Sequence, residues 1–283
     1  MRLERERWET PDGDFVDVDF AGERTAARRI VLFHGLEGCS DSHYARAIAA
    51  HGVQQGWRIA IAHFRGCSGE PNRLARAYHS GDTAEIDWIV RKLGAPLWAV
   101  GISLGGNALL KWLGERGAEA PVRQAVAVSA PLDLPAAGQA LDRGLNRLLY
   151  TRHFLGTLIP KSLAKLERFP ALYDAAAVRR ARTFRHFDDL VTAPLHGFRN
   201  VEHYWSTAAS GPWLEHIRVP TLLINARNDP FLPEHALLQA ARKAAPCVVL
   251  EFPRTGGHAG FVSGPFPGRP WLPQRIFEFF GRT

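Results

Sequence analysis

The 283-residue sequence predicts an α/β protein with a mostly parallel, eight-stranded sheet flanked by helices. Short apolar runs of strand length alternate with amphipathic stretches of helical period from residue 28 onward. One long helix-like stretch interrupts this alternation after the sixth predicted strand, and the chain shows no internal repeat. A hydrophobic fraction of 46% and a charged fraction of 22% are ordinary for a globular protein that buries a substantial core.

Eight strands are predicted in order along the chain. Two lie near the start, and six apolar runs follow: around Trp8, Phe15–Phe20, Ile30–Phe33, Arg58–Ala62, Leu97–Val100, Val122–Val128, Thr221–Asn225 and Val248–Phe252. Amphipathic helices, each after a turn or cap signal, are predicted between or after them: Tyr44–Gln55, Asp82–Leu93, Leu104–Arg116, Pro233–Ala244 and Trp271–Phe280. Crossovers of this kind place helices on both faces of a sheet.

The stretch from Pro131 to about Ser210 is rich in Arg, Leu and Phe and is punctuated by prolines. We interpret it as a helical cap inserted at the carboxyl edge of the sheet, where open α/β folds bind ligands. The predicted organisation is therefore a core of residues 1–130 and 211–283, with a cap or lid over residues 131–210.

Charge and cysteine content exclude several classes of function. The net charge is +7, but the basic residues are scattered, apart from one group at 179, 180, 182 and 185, so no nucleic-acid partner is expected. Three cysteines without CxxC spacing predict neither a disulfide framework nor a zinc site. No apolar run suits a signal peptide or a bilayer span, which favours a cytoplasmic location. No metal or cofactor is expected.

A candidate nucleophile lies in the GxSxG pattern of Gly101, Ser103 and Gly105. The pattern follows a predicted strand directly and precedes a predicted helix, and this context is typical of a sharp turn that exposes a serine hydroxyl. Neighbouring side chains would collide in such a turn, so glycines are needed on either side. The alternative is a glycine-rich packing turn without catalytic function.

Two backbone N–H groups are candidates for an oxyanion hole. The Leu104 N–H stands at the amino terminus of the predicted helix, where the helix dipole favours negative charge. The second donor is expected in the loop after the third strand, where the chain turns at His34 and Gly35, which makes the Leu36 N–H the candidate. His34 itself is expected to shape the loop rather than to transfer protons.

The orienting acid and the base should follow later strands. Asp229 lies in a Pro-terminated turn after the seventh strand, and His258 follows two glycines after the eighth, which gives the order Ser, Asp, His. Asp133, Asp188 and Asp189 are competing acids, and turn capping is the non-catalytic alternative for Asp229. In the predicted mechanism His258 accepts the Ser103 proton while Asp229 fixes the imidazole tautomer.

Several strings together resemble the YheT-type α/β-hydrolases, relatives of the animal and plant ABHD lipases: HGLEG, FRGCSGE (Phe64–Glu70), YHSGD (Tyr78–Asp82), GISLGGN, APLHGF, NDPF and GGHAGFV. The resemblance spans most of the chain. It implies the α/β-hydrolase fold and a carboxylic-ester hydrolase that uses Ser103, Asp229 and His258 on a small-molecule ester, lipid-like in some relatives. A thioesterase with the same triad, or a non-catalytic protein that binds an acyl ligand, are the alternatives.

Three further residues and the cap leave choices open. Cys67 is interpreted as a buried small residue rather than a second nucleophile. Arg65 and Glu70 are expected either to pair with each other or to shape the loop between the fourth strand and the next helix. For the cap, we favour a soluble lid with solvated arginines and Leu and Phe side chains lining the pocket. Peripheral membrane contact through an amphipathic helix is the alternative. The sequence does not indicate the oligomeric state.

Overall fold

A computed structural model describes residues 1–264 and 268–281. Eight strands form one sheet: β1 (Glu4–Glu9), β2 (Phe15–Ala21), β3 (Arg29–Phe33), β4 (Arg58–Ala62), β5 (Trp98–Ile102), β6 (Ala125–Val128), β7 (Thr221–Ile224) and β8 (Val248–Glu251). Their order is β1-β2-β4-β3-β5-β6-β7-β8. Strand β2 runs antiparallel to β1 and β4, and the neighbours from β4 to β8 are parallel. The predicted eight-stranded, mostly parallel sheet is confirmed.

The core helices lie on both faces of this sheet: α1 (His43–Gln54), α2 (Thr83–Leu93), α3 (Leu104–Arg116), α11 (Glu234–Ala241) and α12 (Trp271–Phe280). Alternate strand residues point to opposite faces. Val31, Ala99 and Leu223 therefore pack in one cluster with α2, α3 and α11. Ile30, Val100 and Leu222 pack in another with α1 and α12.

The insertion between β6 and β7 is helical, and we call its helices the cap: α4 (Leu134–Leu141), α5 (Gly144–Asn146), α6 (Arg152–Arg168), α7 (Ala175–Arg180), α8 (Phe184–Phe187), α9 (Ala193–Leu195) and α10 (Val201–Ala208). Five-residue π-helical turns, Arg147–Thr151 and Asp188–Thr192, join α5 to α6 and α8 to α9. Two apolar clusters of its own hold the cap together.

Element boundaries differ slightly from those predicted. Strand β6 begins at Ala125 rather than Val122, because Arg123 N–H bonds to the Leu97 carbonyl before the ladder with β7 starts. Pro160 lies inside α6 rather than at a break, and Pro135 lies in the first turn of α4, where its missing N–H costs nothing. A short ladder of β9 (Val262–Ser263) and β10 (Arg269–Pro270) was not predicted.

Within the described ranges, 1–264 and 268–281, no helix has both the length and the apolar character needed to cross a bilayer.

Candidate active site

Ser103 stands on the turn between β5 and α3 with φ of 53° and ψ of −117°, a backbone conformation that L residues rarely adopt and that costs about 1–3 kcal/mol. Its N–H donates to the Val128 carbonyl at 2.8 Å, so a bond to the neighbouring strand holds the strained residue. A Cβ on Gly101 would lie 2.5 Å from the Gly105 carbonyl oxygen, and one on Gly105 would lie 2.4 Å from that of Phe33. Both contacts are with backbone, so both glycines are required by close approach.

The structure brings the three predicted side chains together. His258 Nε2 lies 2.8 Å from Ser103 Oγ, and His258 Nδ1 lies 2.7 Å from Asp229 Oδ2. The Asp229 side chain is fully buried, and the imidazole is 18% exposed. With Nδ1–H donating to the carboxylate, Nε2 is left to accept the serine hydroxyl proton.

The loop that carries the imidazole is held by contacts that the sequence did not indicate. Ser129, another residue with positive φ, donates its hydroxyl to the His258 carbonyl. Asn228 Oδ1 accepts the N–H groups of Gly256 and Gly257 at 3.1 and 3.0 Å. The Phe231 ring lies against the imidazole with centroids 4.1 Å apart. The NDPF string is the one signal that could have pointed to Asn228 and Phe231.

The predicted oxyanion residues flank Ser103. Leu36 and Leu104 line the same cavity as Ser103 and His258, and Leu104 opens α3, where first-turn N–H groups have no partner within the helix. A Cβ on Gly35 would lie 3.2 Å from Ser103 Cβ, so the Gly35–Leu36 peptide runs beside the serine, and a side chain at position 35 would crowd it.

His34 shapes this loop from within the core. The ring is fully buried, with Nδ1 2.7 Å from the Gly35 carbonyl oxygen and Nε2 3.1 Å from the Phe64 N–H. These partners require a proton on Nδ1 and a lone pair on Nε2, so the imidazole is neutral. Burial lowers the pKa of His34 to about 3. Both ring nitrogens are occupied, so the structure gives His34 no contact with the serine.

Two tyrosine hydroxyls and one ion pair fix the rest of the loop. Tyr44 Oη accepts the Gly35 N–H at 2.9 Å, and Tyr78 Oη accepts the Glu37 N–H at 2.9 Å. The same Tyr78 hydroxyl donates to Glu37 Oε1 at 2.8 Å. The other oxygen, Oε2, lies 2.7 Å from Lys161 Nζ on α6. The segment that carries the Leu36 N–H is thereby tied to the cap as well as to the core.

A cavity of about 650 Å³ opens at Ser103 and His258 between the sheet edge and the cap. Much of its lining is apolar and comes from the cap: Leu134, Leu141, Leu158, Phe184, Phe187 and Trp205. The lining also includes polar side chains, among them Arg65, Asn72, Lys161 and Lys165. A cavity of this size and lining suits a small molecule with an apolar chain.

The competing acids have other partners. Asp133 caps α4 by accepting the Ala136 N–H at 2.9 Å, and Asp189 accepts the Val201 N–H at 3.0 Å. Asp188 accepts from Thr192 Oγ1 and Trp205 Nε1 inside the cap, and burial raises its pKa to about 6. The structure therefore places only Asp229, among the four candidates, against the His258 ring.

The two loops that carry the strings FRGCSGE and YHSGD are structural supports for the site. Arg65 does not pair with Glu70: its guanidinium lies 2.5 Å from Glu85 and also contacts Asp12 and Asp14, whereas Glu70 pairs with Arg7 at 3.0 Å. The expected pairing of Arg65 with Glu70 was wrong, because the buried guanidinium takes its partners from α2 and from the loop between β1 and β2.

Cys67 is buried in the same region, and burial raises the pKa of its thiol to about 12. In the YHSGD loop, a Cβ on Gly81 would lie 2.8 Å from Ala208 of α10. Asn107, on α3, donates to the carbonyls of Ser80 and Ala208, both at 2.8 Å. The serine-bearing helix therefore ties this loop to the end of the cap.

A family model for the alpha/beta hydrolase fold matches residues 28–265. The Escherichia coli K12 protein "Putative esterase YheT" is 39% identical over 282 residues, which cover 96% of this chain and 82% of that protein. The chain belongs to the YheT-type α/β-hydrolase family. Mouse phospholipase ABHD3 is 30% identical over 294 residues, which cover 99% of this chain and 71% of the mouse protein.

Among solved structures, a Pyrococcus furiosus esterase superposes on this YheT-type chain with a TM-score of 0.66 at 16% identity, over 99% of this chain and 91% of the esterase. At that identity the likeness shows the fold alone.

Proposed function

We propose that the protein is a serine hydrolase that cleaves carboxylic esters through an acyl-enzyme, with Ser103 as nucleophile, His258 as base and Asp229 as orienting acid. The observation that carries the proposal is the continuous contact Ser103 Oγ–His258 Nε2 and His258 Nδ1–Asp229 Oδ2, at 2.8 and 2.7 Å, at the mouth of an apolar cavity. The names of its relatives, which include an esterase and a phospholipase, support a hydrolase of the esterase and lipase type.

In this mechanism Ser103 Oγ bonds to the acyl carbon as its proton passes to His258 Nε2, and the carbonyl electron pair moves to oxygen. The Leu36 and Leu104 N–H groups donate to that oxygen. The intermediate collapses, the alcohol leaves with the proton from His258, and the acyl group stays on Ser103. Water then attacks the acyl carbon, with His258 again taking the proton, and the bond from that carbon to Ser103 Oγ breaks. Ser103 Oγ takes the proton back from His258, and the acid is released.

The apolar cap walls are the place for the acyl chain, because transfer of a chain from water into them contributes about 0.8 kcal/mol per buried methylene. Discrimination among esters should therefore follow chain length. Leaving groups of different length on the same acyl chain should differ less in kcat/KM, because the acyl chain then occupies the apolar walls.

The test is hydrolysis of p-nitrophenyl esters of graded acyl length by the parent protein and by Ser103→Ala. We expect kcat/KM to rise with acyl length to an optimum, and Ser103→Ala to lose turnover by about 10⁴-fold or more. An acyl-CoA series run beside it decides between ester and thioester preference. Turnover that survives in Ser103→Ala would remove the assignment of Ser103 as nucleophile. Absence of turnover in the parent at every chain length would remove the proposal and favour a protein that binds acyl ligands without cleaving them.

A further inference from the structure

Three leucines on the outer face of the cap point away from the cavity. Leu145, Leu148 and Leu149 are 73%, 63% and 60% exposed, and they lie on α5 and the π-helical turn after it. Spacings of three and four residues place them on one side of the helix. We call them the leucine patch. Clustered exposed apolar side chains of this kind mark interaction surfaces on soluble domains.

The leucine patch is surrounded by positive charge. Arg143, Arg147 and Arg152 are exposed on the same segment, and the sequence has no acidic residue between Asp142 and Glu167. The Asp142 carboxylate is turned inward, where it accepts the N–H groups of Phe184 and Arg185. Asp142 also attracts Arg147 electrostatically, so one carboxylate stands against the three arginines on this segment.

A basic groove adjoins the leucine patch. Arg147, which stands between the patch leucines in the sequence, lines this groove. The groove has a volume of about 510 Å³ and is lined by Arg180, Arg182 and Arg185, together with Asp189 and Glu202. Glu202 is paired with Arg185, and Asp189 accepts a backbone N–H, so the arginines outnumber the acids that face them. Apolar side chains beside clustered guanidinium groups match the interface of an anionic bilayer, which presents acyl chains beside phosphate groups.

The segment of the leucine patch is connected to the candidate triad through two aromatic rings. Tyr150, the residue that follows it, lies with its ring centroid 4.6 Å from that of Phe231, and the Phe231 ring lies 4.1 Å from that of His258. A surface that bound the patch would therefore contact the segment that packs on the imidazole through Tyr150 and Phe231.

We propose that the leucine patch and the arginines around it dock the protein onto an anionic lipid surface. A second copy of the chain fits less well, because a two-fold contact through the patch would set the arginines of one copy against those of the other. Lipid phosphates supply the opposite charge and the acyl region supplies the apolar contact.

The test is flotation of the Ser103→Ala protein with vesicles of phosphatidylcholine alone and of phosphatidylcholine mixed with phosphatidylglycerol. The inactive protein keeps binding separate from turnover. We expect binding to the mixed vesicles that weakens with added salt. Leu145→Ser/Leu148→Ser/Leu149→Ser should lower it by about tenfold or more per leucine. Arg143→Gln/Arg147→Gln/Arg152→Gln should lower it about fivefold per arginine, on the order of a hundredfold in all.

Arg24→Gln/Arg46→Gln/Arg242→Gln removes the same charge from exposed positions outside the cap and should leave most of the binding intact. Leu250→Ser is the control for the leucines, because Leu250 is 39% exposed on β8. The leucine triple variant and the cap-arginine triple variant, each with Ser103 intact, should retain hydrolysis of a water-soluble p-nitrophenyl ester. Retained hydrolysis shows that they fold. Vesicle binding without hydrolysis would leave docking standing and overturn the proposed function alone.

Absence of binding to mixed vesicles, equal binding of the leucine variant, or equal binding to both vesicle types would each overturn the docking proposal. So would sedimentation that shows a dimer in the parent and a monomer in the leucine variant, because a second copy would then cover the patch.

Discussion

Replacing Asp229 by Asn tests the roles of the triad more sharply than deleting the serine, because the change keeps shape and removes one charge. The Asp229 carboxylate uses both oxygens: Oδ1 accepts the Phe231 N–H at 2.9 Å, and Oδ2 faces His258 Nδ1 at 2.7 Å. If Asn keeps its carbonyl on the Phe231 N–H, its NH₂ group faces His258 Nδ1. Two donors cannot face each other, so the imidazole must carry its proton on Nε2.

An imidazole protonated on Nε2 points a hydrogen at Ser103 Oγ and cannot accept the serine proton. The reverse orientation of the amide sets its NH₂ group against the Phe231 N–H, which leaves a buried donor without an acceptor. The same exchange in a protease triad lowers kcat about 10⁴-fold. We therefore expect a comparable loss here, equivalent to about 5.5 kcal/mol of transition-state stabilisation, with little change in KM.

The assay is steady-state hydrolysis of the best p-nitrophenyl ester by Asp229→Asn, with Asp133→Asn as the matched control. Asp133 caps α4, and Asn caps a helix about as well as Asp, so this variant should keep both activity and stability. An Asp229→Asn protein within about tenfold of the parent rate, or an Asp133→Asn protein that loses as much, would refute the assignment of the orienting acid.

Three further predictions concern the buried Arg65, a pair of glycines and the pH dependence of stability. Arg65→Met should lower the free energy of unfolding by about 3 kcal/mol, because it removes the partner 2.5 Å from the buried Glu85 and leaves Arg76, at 3.9 Å, as the cation beside that carboxyl group. Urea denaturation measures this loss. Gly105→Ala should abolish activity or folding, whereas Gly156→Ala, whose Cβ meets nothing within 4 Å in α6, should stabilise by about 1 kcal/mol; equal melting temperatures would contradict this. His34 has a folded pKa near 3, below that of the unfolded chain, so the unfolded state binds the extra proton and stability falls as the pH drops from about 6.5 towards 3. The free energy of unfolding should change by up to about 1.4 kcal/mol per pH unit in this range. Imidazole NMR that shows a charged His34 at about pH 5 would contradict the prediction.

Local sequence patterns predicted most of the fold. Strands buried on both faces are continuous apolar runs, so the segment Arg58–Ala62 was identifiable residue by residue. Crossover helices have a separate periodicity, and α3 was predicted with its observed bounds, Leu104–Arg116. The ends of strands and helices were harder to predict where a proline or a bond to another segment sets them, as at β6. The sequence pattern treats the two segments separately and does not show the bond between them.

The candidate site divides in the same way. The turn glycines and the chain order of Ser103, Asp229 and His258 follow from what a strand-to-helix turn and two later loops must provide. The hydroxyls of Tyr44 and Tyr78, which hold the loop of Gly35 and Glu37, have no such signal, because each belongs to a different segment, 9 and 41 positions away from the N–H that it accepts.

By itself, the sequence determined the order of elements, the place of the cap and the three residues to test, because each depends on periodicity or on local backbone geometry. Only the tertiary structure decided that His258 meets Ser103 across 155 positions, which partners the buried Arg65 takes, and which way the cap leucines face. Leu141 and Leu158 line the cavity, whereas Leu145 and Leu148 face outward. Helical periodicity gives an apolar side to a helix, but what that side contacts is set by the packing of segments far apart in the chain.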